Sequence, residues 1–266
     1  MAFDQRRNPW QAEMQKIKKQ EDKLLEKRAD KKDSYLNRLL ADKVPDKLQG
    51  TLDAAFAKAF RLIFEKGTAL IEKTYNKDER EKKYLINEYS AEVRKTRKSA
   101  RSFSKNAAGA GMKNMALSGI SGIGMGAVGV GLPDIPVFTG MILKSIYEIA
   151  LSYGFDYDSE EERYFILLII QGALTYGDEM LAVNELINEF IEERDGEPRL
   201  RDDYSQEDMI VRTAGCLSRE LLYMKFLQGI PVAGVIGGAY DVVYMKRIVE
   251  YARLKYARRF YYNRSK

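Results

Sequence analysis

Apolar residues along this chain recur at intervals of three and four, the period of an α-helix. No segment alternates with the period of two that a strand requires. Leu52, Ala55, Phe56, Ala59, Phe60, Ile63, Leu70 and Ile71 form one such stripe, with Thr51 placed as its N-cap and Thr74 near its end. Asn76 and Glu79 have capping-box spacing and open a helix with the stripe Leu85, Tyr89, Val93, Thr96, Ala100 and Phe103. Asp134 reads as the cap of the next helix, with Pro136 tolerated in its first turn and Gly154 ending it. Its buried face is Phe138, Met141, Ile142, Ile146, Ile149 and Tyr153. Ser159 with Glu162 repeats the capping box before an apolar core from Tyr164 to Gln171. Val183, Leu186, Ile187, Phe190 and Ile191 mark an amphipathic helix that stops near Asp195. Ser205 caps a helix through Leu227, and Pro231 starts a last one that turns basic and aromatic. The pattern predicts an all-α fold of seven to eight helices, one multi-helix domain over residues 49–266.

Residues 1–48 break this pattern. Asn8, Pro9 and Trp10 suit a helix start, but Lys16 to Lys32 mixes charges around only Ile17, Leu24 and Leu25. So few apolar positions predict a charged N-terminal arm, a solvated or partner-dependent helix that Pro45 and Gly50 end. The first residues lack an apolar core of signal-peptide length, and the lone Cys216 sits among small and apolar neighbours. Both point to a reducing, cytoplasmic setting.

Charge is segregated. Six cations fall between Arg94 and Lys105 with no acid among them, Asp156–Asp208 carries a net −13, and Met245–Lys266 a net +7. Arg94, Lys95, Arg97, Lys98 and Arg101, with Arg253, Lys255, Arg258 and Arg259, are therefore candidates for an anionic surface. Lysines, arginines and tyrosines interleaved in this way suit lipid headgroups. They also suit RNA, or a helix whose tyrosines pack on a core.

Between the first cationic cluster and Asp134, Asn114–Pro133 holds twenty uncharged residues with six glycines. Gly124, Gly126 and Gly129 match a dinucleotide fingerprint in letters only, since no strand precedes them and Pro133 interrupts the helix that should follow. Close helix packing or an apolar hairpin at a membrane fits better, through Gly119, Gly122, Gly126, Gly129, Gly131 and Pro136. Gly229, Pro231, Gly237 and Gly238 repeat the glycine–proline theme and are its expected packing partner.

The chain contains no histidine, which excludes histidine-based triads and dyads and histidine-bearing zinc sites. No catalytic constellation, cofactor motif or metal site emerges. The remaining polar candidates are Asp134, Asp156, Asp178 and Glu179; the acids from Asp156 to Glu162 read better as a capped helix start than as a cation site.

The order of these pieces resembles the EcsC family. The matching residues are Gly131-Leu-Pro-Asp-Ile-Pro136, Ile146-Tyr-Glu-Ile-Ala150, Tyr153-Gly-Phe-Asp156 and Glu161-Glu-Arg163, then Gly229-Ile-Pro-Val232 and Gly237-Gly-Ala239. The resemblance runs from about residue 50 to residue 255 and leaves the arm outside. Pro133 departs from it where a small residue usually precedes the aspartate, and Tyr240-Asp241 replaces a usual asparagine. It implies a bacterial helical domain whose founding members are encoded beside an ABC transporter, and it supplies no catalytic residues. The expectation is a non-enzymatic accessory or regulatory protein, peripheral or partly embedded at the cytosolic face of a membrane. Its partners would be the membrane surface or an integral membrane protein such as an ABC transporter, with self-association left open. A lipid or peptide hydrolase acting through the four carboxylates is the second reading, and nucleic-acid binding the third.

Overall fold

The computed structural model describes residues 8–29, 46–65, 69–110, 134–192, 200, 204–227 and 239–266. Among these helix is the regular structure and no strand occurs, with α1 (Pro9–Ala29), α2 (Asp46–Glu65), α3 (Ala69–Glu72), α4 (Lys77–Arg94) and α5 (Asp134–Ser152), then α6 (Glu160–Leu174), α7 (Gly177–Glu192), α8 (Gln206–Leu227) and α9 (Ala239–Ser265). Residues 97–110 are helical as well. The all-α expectation holds, although these nine bounded helices exceed the seven or eight expected.

Local signals set several boundaries. Asn76 accepts the Glu79 amide at 2.9 Å, Ser159 the Glu162 amide at 3.2 Å and Ser205 the Asp208 amide at 3.2 Å. Each satisfies an amide that the first helical turn leaves without a partner. At the end of α5, Gly154 takes a φ of +78°. Its amide donates to Leu151 and that of Phe155 to Ala150, the paired bonds of a Schellman ending. The Tyr84 ring lies where a Cβ on Gly154 would stand.

Other boundaries moved. Thr51 is no cap, because α2 already begins at Asp46 and the Thr51 hydroxyl donates back to the Lys47 carbonyl. Gly50 is inside α2 and ends nothing, and of the helix expected to reach Thr74 the described parts are α2, to Glu65, and α3, Ala69–Glu72. Asp134 is the first residue of α5 rather than the one before it. The largest departure is at Lys95, which adopts a left-handed φ of 45° and ends α4. The Thr96 amide then donates to the Ser99 hydroxyl and the Ser99 amide to the Thr96 hydroxyl, which begins the helix at residue 97. One expected helix is two, and its stripe divides. Ala100 and Phe103 are buried, while Leu85, Tyr89 and Val93 face solvent.

The core is built on α6, which is buried at every residue from Tyr164 to Leu174. A helix that is apolar on all sides needs neighbours on all sides, and α7, α8 and α9 supply them. α5 packs on α2, α4 and α9, and α8 covers α2. In α9 the residues Tyr244, Tyr251, Tyr256, Phe260 and Tyr261 all point inward.

α1 joins this core through charge. Glu13, Ile17, Glu21 and Arg28 are its buried residues, and it lies on α9 and α7. Arg28 donates to the Ala173 carbonyl in the last turn of α6 at 3.0 Å, the end of a helix that favours a cation. Trp10 packs on Phe103, Phe260 and Tyr261 with ring centroids 6.1–6.3 Å apart. The helix expected to be solvated or to depend on a partner has that partner within its own chain.

Candidate functional site

On α4, one face is anchored and the opposite face is bare. Arg80 pairs with Glu148 of α5 at 2.9 Å, Tyr84 covers Gly154, Glu88 accepts from Arg264 and Ala91 is buried. Leu85, Ile86, Tyr89 and Val93 are 61, 67, 70 and 64% exposed. At 100° per residue these four fall within about a quarter of the helix circumference, so they form a continuous apolar stripe. The stripe runs into Arg94, Lys95, Arg97, Lys98 and Arg101, all exposed, and Glu92 is the one acid between Tyr89 and Arg101.

Arg97 and Arg101 share a single acceptor. Both donate through Nε to Glu13 Oε1, at 2.9 and 2.7 Å, and Lys16 stands 3.9 Å from its other oxygen. Glu13 is 1% exposed, so this carboxylate is a fixed internal anchor that leaves an excess of positive charge above it. Beside it, between α1 and the turn after α4, lies a cleft of about 850 Å³. Lys16, Lys19, Lys23, Lys95 and Arg97 line it together with Gln15, Gln20 and Thr96, and no described carboxylate does.

The cations of α9 are placed differently. Lys255 is 0% exposed and donates to Glu21 and to Asn188. Arg258 reaches Glu21 at 2.8 Å and also Glu192, and Arg259 reaches Glu162 at 2.6 Å beneath the rings of Phe155, Phe165 and Phe190. Burial works to raise the Glu21 carboxyl, but Lys255 and Arg258 outweigh it and hold it below its ordinary value. Burial draws the Lys255 ammonium down to about 8 despite Glu21. Lys255, Arg258 and Arg259 thus serve the interior rather than an anionic surface. Arg253 is half-buried.

Asp156, Asp178 and Glu179 are exposed, and Asp156 lies far from the adjacent pair Asp178 and Glu179. Asp156 precedes α6 and Asp178 follows it, and fifteen helical residues separate the two ends by about 22 Å. Asp134 opens α5 and Asp156 follows its other end, nineteen residues or about 28 Å along the helix. The carboxylate set a hydrolase would need is not gathered in one place. Glu179 meets Arg219 at 3.5 Å, and Asp156 accepts the Tyr157 amide. Among the described residues, no group of three histidine, cysteine or acidic side chains is arranged to hold a metal ion.

Two polar clusters carried no sequence signal, since their members come from distant segments. Tyr157 donates to Glu72 at 2.5 Å and meets Tyr75 at 2.6 Å, while Tyr147 stacks on it. Burial drives the phenols of Tyr75, Tyr147 and Tyr157 upward, so they remain protonated hydrogen-bonding groups. Ser218 donates to Asp53 and accepts from Gln49 across the α2–α8 contact, which ties the two helices together. The buried Cys216 thiol is pushed up by burial, away from the thiolate a nucleophile needs.

Gly119, Gly122, Gly126, Gly129, Gly131, Gly229, Pro231, Gly237 and Gly238 lie outside the described residues. Pro136 is exposed in the first turn of α5. One described helix, over Ile135–Ser152, is long and apolar enough to cross a membrane, but 72% of it is buried within the protein, as suits a core helix.

No curated protein and no solved structure matches the chain. The sequence profile of the EcsC protein family matches residues 11–260, which takes in α1 as well as the helices expected from the resemblance. The chain belongs to the EcsC protein family.

Proposed function

We propose that this protein is a non-enzymatic accessory or regulatory protein that docks on the anionic cytosolic surface of a membrane, beside an integral partner for which an ABC transporter is the candidate. The observation that carries the reading is the exposed stripe Leu85, Ile86, Tyr89 and Val93 ending in the cations Arg94–Arg101. A helix with a bare apolar face lies in the headgroup layer, and each nearby basic residue adds ~1 kcal/mol on an anionic surface. Charge chooses the occupant, since an apolar protein groove would not call for five cations beside it.

The test is flotation of the full-length protein with vesicles of phosphatidylcholine, with and without phosphatidylglycerol. Recovery is expected only with the anionic lipid, and high salt is expected to release the protein. Tyr89→Glu combined with Val93→Glu alters exposed side chains and should lower recovery about tenfold or more. Wild-type protein that ignores the anionic vesicles overturns the reading.

A further inference from the structure

We propose that the cleft between α1 and the turn after α4 is a binding site for a phosphomonoester, the headgroup phosphate of a lipid or the same group on a soluble molecule. The lipid source rests on the membrane reading above; the phosphate site itself does not.

The argument starts from unbalanced charge. Lys16, Lys19 and Lys23 follow one another at intervals of three and four, so α1 presents them on one face. Ile17 and Glu21 turn away from them into the core, and Glu13, one turn before Lys16, is buried between the two sides. Lys95 and Arg97 close the cleft from the other side, giving five cations around one space of about 850 Å³. Like charges brought this close repel, and Glu13 is already shared among Lys16, Arg97 and Arg101. A second anion is what this arrangement accommodates.

The geometry favours phosphate over a simple carboxylate. Arg97 is held through Nε, the inner nitrogen of its guanidinium, and among the described residues no other acceptor engages its terminal nitrogens. A guanidinium fixed in this way offers a pre-set fork for phosphoryl oxygens. The amides of Gln15 and Gln20 add neutral donors at the rim. A phosphomonoester carries roughly −1.5 to −2 at neutral pH and three acceptor oxygens, which matches several cations better than a monovalent group does. Lys95 makes the same point from the backbone. Its left-handed conformation is one that glycine adopts without strain, yet the side chain there is a lysine that lines the cleft. The site also opens two residues beyond Val93, so a headgroup entering it would lie at the end of the apolar stripe.

The experiment uses the full-length protein in two arms. Vesicles of phosphatidylcholine carry either phosphatidic acid, a phosphomonoester, or phosphatidylglycerol, a phosphodiester, at matched surface charge. In parallel, glycerol 3-phosphate is titrated calorimetrically. The proposal predicts about tenfold tighter binding to phosphatidic acid than to phosphatidylglycerol. Lys16→Gln, Lys19→Gln and Lys23→Gln together should erase that preference. Lys18→Gln with Lys27→Gln, exposed on α1 but outside the cleft, should preserve it, and circular dichroism checks that each variant is folded. Equal binding to both vesicles, with no glycerol 3-phosphate binding, overturns the site and leaves the membrane reading standing. Glycerol 3-phosphate binding that the cleft variant abolishes, without recovery on either vesicle, upholds the site with a soluble ligand and overturns the membrane reading. Failure in every arm overturns both.

Discussion

Glu21 lies between Lys255 and Arg258 at the centre of the α1–α9 contact, and its ionisation is coupled to folding. Because its folded carboxyl titrates below the ordinary value near 4.5, the unfolded chain takes up the proton first as pH falls. The stabilisation is complete above that value and is lost as pH drops through the lower folded value. Glu21→Gln leaves the Lys255 ammonium buried without its counter-charge, a change expected to cost about 3–5 kcal/mol at neutral pH. At acid pH the wild-type carboxyl is itself neutral and resembles the glutamine. The difference in urea-unfolding free energy between the two proteins should therefore shrink as pH falls below 4.5. A difference that stays constant with pH would show that the Glu21 charge is not what holds α1.

At the scale of the element, α6 and α9 approach each other closely because Gly172 has no side chain. A Cβ there would stand 2.7 Å from Cε1 and 2.9 Å from the oxygen of Tyr251, whose buried hydroxyl donates to Asn184. Gly172→Ala should lose about 1–3 kcal/mol to overpacking, more than the ~1 kcal/mol that alanine returns in helix propensity. Gly50→Ala is the control, for Gly50 sits in α2 with nothing within 4 Å of its missing Cβ and should gain stability. Thermal unfolding separates them, and equal upward shifts would sink the close-packing argument. The same elements show what the sequence made legible. Asn76, Ser159 and Ser205 were readable as caps because the bond each makes is three residues away. The all-apolar run of α6 was readable because burial on every side leaves no polar face. The break at Lys95 was not, since no glycine or proline marks it and the three-and-four spacing continues across it from Val93 to Ala100. The stripe assigned to the core was consequently half surface, and that half became the candidate site. The cations of Arg94–Arg101 were found from composition alone. The cleft was not, because its second wall is on α1, more than seventy residues away in sequence.

For the whole molecule, the acidic block and the basic C-terminus that look opposed along the chain are joined within the fold. Glu162 and Glu192 of the block meet Arg259 and Arg258; outside the block, Glu220 meets Arg247 and Glu21 meets Lys255. The cations of Arg94–Arg101 and the α1 lysines that line the cleft lie apart from these pairs, beside the apolar stripe. The residues resembling a detachable arm are thus a wall of the proposed site and a side of the core. Removing residues 1–29 would uncover the Phe103, Phe260 and Tyr261 rings that Trp10 covers and strip Lys255 of Glu21 and both arginines of Glu13. Trp10 alone covers enough apolar surface to account for ~3 kcal/mol, and the stranded Lys255 adds about as much. Together they consume most of the 5–15 kcal/mol (roughly) by which a domain is stable. The truncated chain should therefore melt far below the full-length protein, or fail to melt cooperatively, in circular dichroism. A truncated chain that keeps the parent's melting temperature would show that α1 is an appendage after all, and that the fold closes without the charges it contributes.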